Sequence, residues 1–156
     1  DIQGIKDFIR SAGVTVLEGD CAALPLEGQT IQICGVDDPE GVGQETMDLQ
    51  LAQAAAQADP ALFTILLSHR PELIDQYRSY GVYDLILSGH AHGGQWRIPG
   101  LLNGLLAPNQ GFFPQYAGGR YDFPDCTFLV SRGLARETTR IPRLFNPPEL
   151  VILDIT

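Results

Sequence analysis

Apolar side chains recur along this chain at two alternating periods, and the alternation predicts an α/β fold. Ile2, Ile5, Ile9 and Ala12 fall at helical spacing with Phe8 alongside, and Gly13 is placed to end that helix. Val14-Thr15-Val16-Leu17 is a short β-rich run, and Thr30 to Cys34 alternates so that Ile31 and Ile33 share one face of a strand. Asp37-Asp38-Pro39-Glu40-Gly41 breaks that strand and reads first as a turn, with its two aspartates as candidate ligands. Glu45 to Gln57 reads as a helix with Met47, Leu51 and Ala55 on one stripe. Leu62 to Leu67 is a nearly unbroken apolar run, as expected of a strand covered on both faces. Pro71 suits the first position of the next helix, which turns Leu73, Ile74 and Tyr77 inward and ends at Gly81. Tyr83 to Leu87 is a second buried strand. Strand, helix and strand in so short a span make a βαβ unit, so the two strands should run parallel.

From Gly93 to Arg120 the chain carries seven glycines and three prolines. Loops of that length in compact domains usually have a function, and Trp96, Phe112, Phe113 and Tyr116 favour one that is ordered by its own packing. Cys126 to Val130 and Leu150 to Leu153 read as two further strands.

Composition narrows the class. A length of 156 residues with 44% hydrophobic and 19% charged content suits one globular domain. No run of about 18 apolar residues occurs, so the stretch contains no helical membrane span. A formal charge of −9 argues against binding duplex nucleic acid, whose phosphates call for clustered cations. The basic residues are uneven, however: Arg132, Arg136, Arg140 and Arg143 crowd together, as a solvated loop or as an anion-steering patch. Cys21, Cys34 and Cys126 are odd in number and lack CxxC spacing, which reads as buried free thiols and leaves the compartment open. The chain opens Asp1-Ile2-Gln3 with no initiator methionine and no signal-like segment, so it is expected to be part of something longer.

The chemistry concentrates in the histidines. All three lie in two similarly built pieces, Leu66-Leu67-Ser68-His69-Arg70-Pro71 and Leu87-Ser88-Gly89-His90-Ala91-His92-Gly93-Gly94. Open α/β sheets bind ligands at the carboxyl ends of their strands, and adjacent parallel strands would present His69 and His90 side by side. His92, two residues on, can face the same cavity in an extended segment. Imidazole is the commonest side-chain metal ligand, and two ions about 3.5–4 Å apart are the usual device of phosphoester hydrolysis. The spacing marks His69, His90 and His92 as candidate metal ligands, and Gly89, Gly93 and Gly94 leave room for close approach of backbone.

These segments resemble the C-terminal half of a calcineurin-like metallophosphoesterase, particularly its bacterial membrane-associated or exported branch. Besides Leu66 to His69 and Leu87 to Gln95, the likeness rests on Val130-Ser131-Arg132-Gly133-Leu134 and Pro147-Pro148-Glu149-Leu150, and it covers nearly the whole chain. The resemblance implies a four-layer αββα sandwich of which residues 1–156 form the C-terminal portion of a single domain. It implies two divalent ions (Mn, Zn, Fe or similar), with His69 and His90 on the second and His92 on the first. The implied reaction is attack of a metal-activated water on a phosphomono- or diester, with Gln95 and Arg132 as candidate substrate contacts. The family's Asp-x-His, Gly-Asp-x-x-Asp and Gly-Asn-His motifs do not occur here; Gly19-Asp20 continues as Cys21-Ala22-Ala23, and Gly133-Leu134-Ala135 replaces the usual Gly-Leu/Ile-Gly. Hydrolytic metal sites want carboxylates beside imidazoles. The chain alone is therefore expected to be inactive, and to self-associate or keep the missing N-terminal half as its partner. Any membrane contact would run through segments outside it. The competing class is a non-catalytic or degenerate metal-binding module of the same fold; a nuclease of the same superfamily is disfavoured by the charge.

Overall fold

The structure, a computed structural model, describes residues 2–26, 28–135 and 142–155. In chain order it contains helix α1 (Ile2–Ser11), strands β1 (Asp20–Leu26) and β2 (Gln29–Gly35), and helices α2 (Pro39–Val42) and α3 (Gln44–Gln57). Strand β3 (Phe63–Leu67) leads through a 3-10 turn at Pro71–Leu73 into α4 (Ile74–Arg78) and strand β4 (Leu85–Ser88). The short strands β5 (Leu106–Ala107) and β6 (Gly111–Phe112) follow, then β7 (Gly119–Asp122) and β8 (Thr127–Val130). One sheet runs in the order β1-β2-β3-β4-β8-β7; β2, β3, β4 and β8 are mutually parallel, and the two edge strands are antiparallel.

Strand alternation sorts the apolar side chains onto two faces that differ in cover. Cys34, Leu66, Ile86 and Phe128 lie in register across the four parallel strands. They are buried against Met47, Leu51 and Ala54 of α3 and Ile74 and Tyr77 of α4. Each large apolar side chain taken from water there contributes about 1.5–3 kcal/mol. On the other face Ile31, Ile65 and Leu85 are buried with Ile155 against them. Toward the strand ends of that face Phe63 and Leu67 remain 40% exposed each. Helix α1 buries no residue; Phe8 is 73% exposed, and the helix is tethered instead by Lys6, which donates to Glu18 and Asp37 at 2.6 Å each.

The βαβ unit is parallel as its pattern demands, and the α3 stripe is Met47, Leu51 and Ala54 with Ala55 only partly buried. Three expectations change. Val14 to Leu17 and Leu150 to Leu153 are not strands. The side chain of Leu17 packs over Gly35, and Leu150, Val151 and Leu153 line a cavity with Leu87 and Leu129 on the less covered face. Their β-rich composition does not by itself make a ladder, and Val14, Leu150 and Ile152 stay exposed. Conversely, β1 contains Pro25, which demotes a sequence as a strand but is tolerated on a sheet edge. Finally, the cysteines are not all free: β1–β2 register places Cys21 opposite Cys34, Cα to Cα 4.0 Å, and the two are disulfide-bonded. Only the pairing of strands brings those thiols together; Cys126 is free and buried, as read. Among the described residues no helix is long and apolar enough to cross a membrane.

Candidate metal centre

The parallel ladder carries the chemistry to one edge. Gly35 pairs with Leu67, Leu67 with Leu87, and Ser88 with Val130. Beyond the strands, Ser68 N–H donates to Leu87 O at 3.0 Å, Gly89 N–H to His69 O at 3.3 Å and Ser131 N–H to Ser88 O at 2.8 Å. The hydroxyls of Ser68, one residue before His69, and Ser88, two before His90, lie 2.6 Å apart and tie β3 to β4. The residues that emerge next from β2, β3, β4 and β8 are Asp38, His69, His90 and Arg132. All leave by the carboxyl edge, where such sheets bind ligands.

The His69 and His90 rings meet edge to face with centroids 4.9 Å apart, and Asp38 Oδ2 is 3.7 Å from His69 Nε2. One donor atom from each of Asp38, His69 and His90 lies within 4.8 Å of the other two. Bonds of about 2.0–2.2 Å to a tetrahedral ion place donors about 3.3–3.6 Å apart, close to the 3.7 Å between Asp38 Oδ2 and His69 Nε2. A carboxylate with two imidazoles is a donor set that suits zinc or a similar divalent ion, so the residues fit a metal. His92 stands outside that threefold group but shares with His69 and His90 a cavity of about 210 Å³.

The second histidine segment is bent into this shape at a cost. His90, His92 and Gln95 have φ of 62°, 49° and 54°, a left-handed region that non-glycine residues rarely occupy. Clusters of such conformations belong to functional sites and persist where the surroundings over-determine them. Here Gly93 and Gly94 allow the close approach: a Cβ on Gly93 would lie 2.3 Å from Asn146 Oδ1, and one on Gly94 would lie 2.4 Å from Gly104 Cα. The buried Asn146 amide donates to His92 O at 2.7 Å and to Gln95 O at 3.1 Å, pinning the turn from beneath.

Arg70 braces the other side. Its side chain is 5% exposed, and it donates from Nε to Asp38 Oδ1 at 2.8 Å and from Nη2 to Glu40 Oε2 at 2.6 Å. Its Nη1 lies 3.1 Å from His90 Nε2, itself 2.8 Å from Asn109 Oδ1. Burial alone would raise the Asp38 pKa, yet the Glu40 N–H and Arg70 hold it below the usual carboxylate value, so the carboxylate stays ionised. Burial, then the charge of His90, pushes the His69 pKa down; burial and then Arg143 do the same at His92. Both shifts favour neutral imidazole, the form that binds metal.

No protein-family profile and no solved structure matches the chain. Curated relatives do. It is 31% identical over 153 residues to an uncharacterized metallophosphoesterase of Aquifex aeolicus, covering 96% of this chain and 53% of that protein. It is 31% identical over 152 residues to the uncharacterized metallophosphoesterase YkuE of Bacillus subtilis, covering 96% of this chain and 49% of that protein. It is 32% identical over 134 residues to the UDP-2,3-diacylglucosamine pyrophosphatase LpxG of Chlamydia muridarum, covering 82% of this chain and 40% of that protein. The chain belongs to the calcineurin-like metallophosphoesterase family. It spans about half the length of the curated relatives it matches.

Within this metallophosphoesterase chain the residues singled out by sequence fall unequally. His69, His90 and His92 come together at one cavity, and Arg132 lines it too, but the Arg132 guanidinium is paired with Glu149 at 2.7 Å. Gln95 is 3% exposed beneath the turn and is not among the residues lining that cavity. Asp37 bonds Lys6 and Gln50, whereas Asp38 both caps α2, accepting from Glu40 N–H at 2.9 Å, and faces His69. The stretch read as a turn is instead the N-cap and opening residues of α2, and one of its aspartates is also at the site. Arg70, Asn109 and Asn146 were missed, and of these only Arg70 left a trace, as a charge directly following a strand-end histidine. Arg143 was named only within the arginine cluster, and it lines the histidine cavity. Arg136 and Arg140 lie outside the described residues.

Proposed function

We propose that the chain carries the imidazole-rich half of a two-metal centre in a hydrolase of phosphomono- or diesters. The supporting observation is the gathering of Asp38, His69 and His90 donors within 4.8 Å of one another, beside His92, at the carboxyl edge of a parallel sheet. Bound divalent cations supply charge neutralisation at the phosphoryl oxygens and activation of water as nucleophile. His69 and His90 hold one ion with Asp38 alongside, and His92 holds the other. Arg70 keeps Asp38 ionised and oriented, the outer support on which metal ligands depend. Arg132 adds positive potential to the cavity wall, and Gln95 acts through the turn it supports. The similarity to a UDP-2,3-diacylglucosamine pyrophosphatase puts phosphoanhydride bonds among the candidate substrates, beside simple esters.

The finer architecture is part of the same proposal. The half-covered sheet face bearing Phe63, Leu67 and Leu24 is the surface that a second sheet would cover in a four-layer αββα sandwich. Contiguous apolar surface of this kind on a single chain marks an interaction site. The remainder of the domain, or a second copy of this chain, would occupy it, and light scattering on the isolated chain distinguishes a monomer of 17.0 kDa from an assembly.

The deciding experiment titrates Mn²⁺ and Zn²⁺ calorimetrically into wild type and into His69→Ala, His90→Ala and His92→Ala, with hydrolysis of p-nitrophenyl phosphate and its diester measured in parallel. Metal binding weakened by each substitution is expected, with background turnover from the 156-residue chain and metal-dependent turnover from the intact protein. Metal binding unchanged by His90→Ala would sink the proposal. Metal binding without turnover in the intact protein would favour a degenerate module.

A further inference from the structure

The cations around the histidine cavity are unevenly compensated. Arg97, Arg132 and Arg143 gather behind it: Gly118 lies against both Arg97 and Arg132, and Arg143 Nη2 donates to Arg132 O at 2.6 Å. The carboxylate beside them, Glu149, is taken by Arg132, from Nη2 at 2.7 Å and from its backbone N–H at 3.2 Å. Among the described residues no carboxylate stands within ion-pair distance of Arg143. Its Nε and Nη1 are buried with no hydrogen-bond partner, and so is Nη1 of Arg97. Buried donors left unpaired are costly, and natural structures keep few of them without a reason. Here the chain, acidic overall at −9, keeps beside three histidines a guanidinium that no carboxylate among the described residues pairs.

Position supplies the reason. Arg143 lines the same cavity of about 210 Å³ as His69, His90 and His92, and its charge reaches His92. Burial, then the charge of Arg132, pushes the Arg143 pKa down. Guanidinium is the side chain best matched to phosphoryl oxygens, through several donors in one plane. The other two candidates are already engaged, Arg70 by Asp38 and Glu40 and Arg132 by Glu149.

We propose that Arg143 is the phosphoryl clamp of this site, taking an oxygen of the substrate's phosphoryl group on the His92 side of the cavity without needing a bound metal. The assignment rests on the phosphoester reading and names the residue that would recognise the anion. Arg132 is then a positioning residue: its carbonyl holds the Arg143 guanidinium, and its own charge is spent on Glu149.

The test uses the intact protein stripped of metal by chelation and titrated calorimetrically with inorganic phosphate. Arg143→Gln should weaken phosphate binding by about tenfold or more, the loss expected of one charge-assisted contact. Arg143→Lys should recover part of it, and neither variant should bind Mn²⁺ more weakly than wild type. With Mn²⁺ restored, Arg143→Gln should raise KM for the p-nitrophenyl diester more than it lowers kcat. A measurement on wild type alone guards against a misfolded variant: phosphate should protect Arg143, and not Arg70, from phenylglyoxal, read by peptide mass spectrometry. Equal phosphate affinity in wild type and Arg143→Gln, or no protection of Arg143, overturns the clamp. Phosphate binding that depends on Arg143 in a protein that binds no metal would instead overturn the metal-hydrolase reading and leave the clamp standing.

Discussion

Two arginines flank the same three histidines, and their surroundings are opposite. Arg70 sits between Asp38 and Glu40 with Glu72 at 3.6 Å, so its charge is more than matched. Arg143 has a backbone carbonyl and a neighbouring arginine. A matched buried cation stiffens whatever it touches, and removing it strands the carboxylates it held. An unmatched one contributes little to the fold and remains available to an incoming anion. One site thus has a built wall and an open wall, and residue type alone does not tell them apart.

Arg70→Ala should give the largest effect. It strands Asp38 beside Glu40 and Glu72, and a loss of about 3 kcal/mol in urea unfolding is expected. A loss below about 1 kcal/mol would mean that the brace is not structural. Asp38→Asn comes next: with the fold kept, as judged by circular dichroism, affinity for Mn²⁺ or Zn²⁺ should fall about 10–100-fold, and unchanged affinity would remove Asp38 from the centre.

On the open wall effects shrink. The Arg132 guanidinium bonded to Glu149 holds that carboxyl below its usual pKa, against the opposing pull of burial. A depressed carboxylate contributes stability that is present above its unfolded pKa, about 4.3, and is lost as pH falls through the lower folded value. The urea midpoint of wild type should therefore drop more steeply in that acid window than that of Glu149→Gln, by less than about 1 kcal/mol. Parallel curves would show that the pair adds nothing. Smallest of all, Arg143→Gln should leave unfolding stability within about 0.5 kcal/mol of wild type. A loss as large as that of Arg70→Ala would erase the distinction between the two walls.

Much of this was legible in the chain. Leu62 to Leu67 and Tyr83 to Leu87 announced buried parallel strands because both of their faces are apolar, and the histidines that follow them stood out as candidate ligands because strand ends are where α/β sheets bind. Val14 to Leu17 and Leu150 to Leu153 misled because β-rich composition alone does not pair a backbone; Val14, Leu150 and Ile152 stay 55%, 74% and 84% exposed. β1 was hidden by Pro25, and its disulfide with it, since thirteen residues of separation say nothing of which strands adjoin. Arg70 was half visible. Asn146 was invisible, because its amide reaches back 54 residues to His92 O.

By itself the sequence determined the α/β class, the parallel order of β3 and β4 and the three histidines. Each of these follows from local periodicity and from the fixed direction in which a strand delivers its next residue. Tertiary structure alone decided that Asp38 rather than Asp37 faces His69, that Cys21 meets Cys34, and that Arg132 pairs with Glu149 while Arg143 meets no carboxylate among the described residues. Those outcomes turn on which distant side chains share a few ångströms of space. Charge and hydrogen-bonding capacity are properties of a residue, whereas their compensation is a property of its neighbours, and neighbours are set only when the strands pair and the loops close over them.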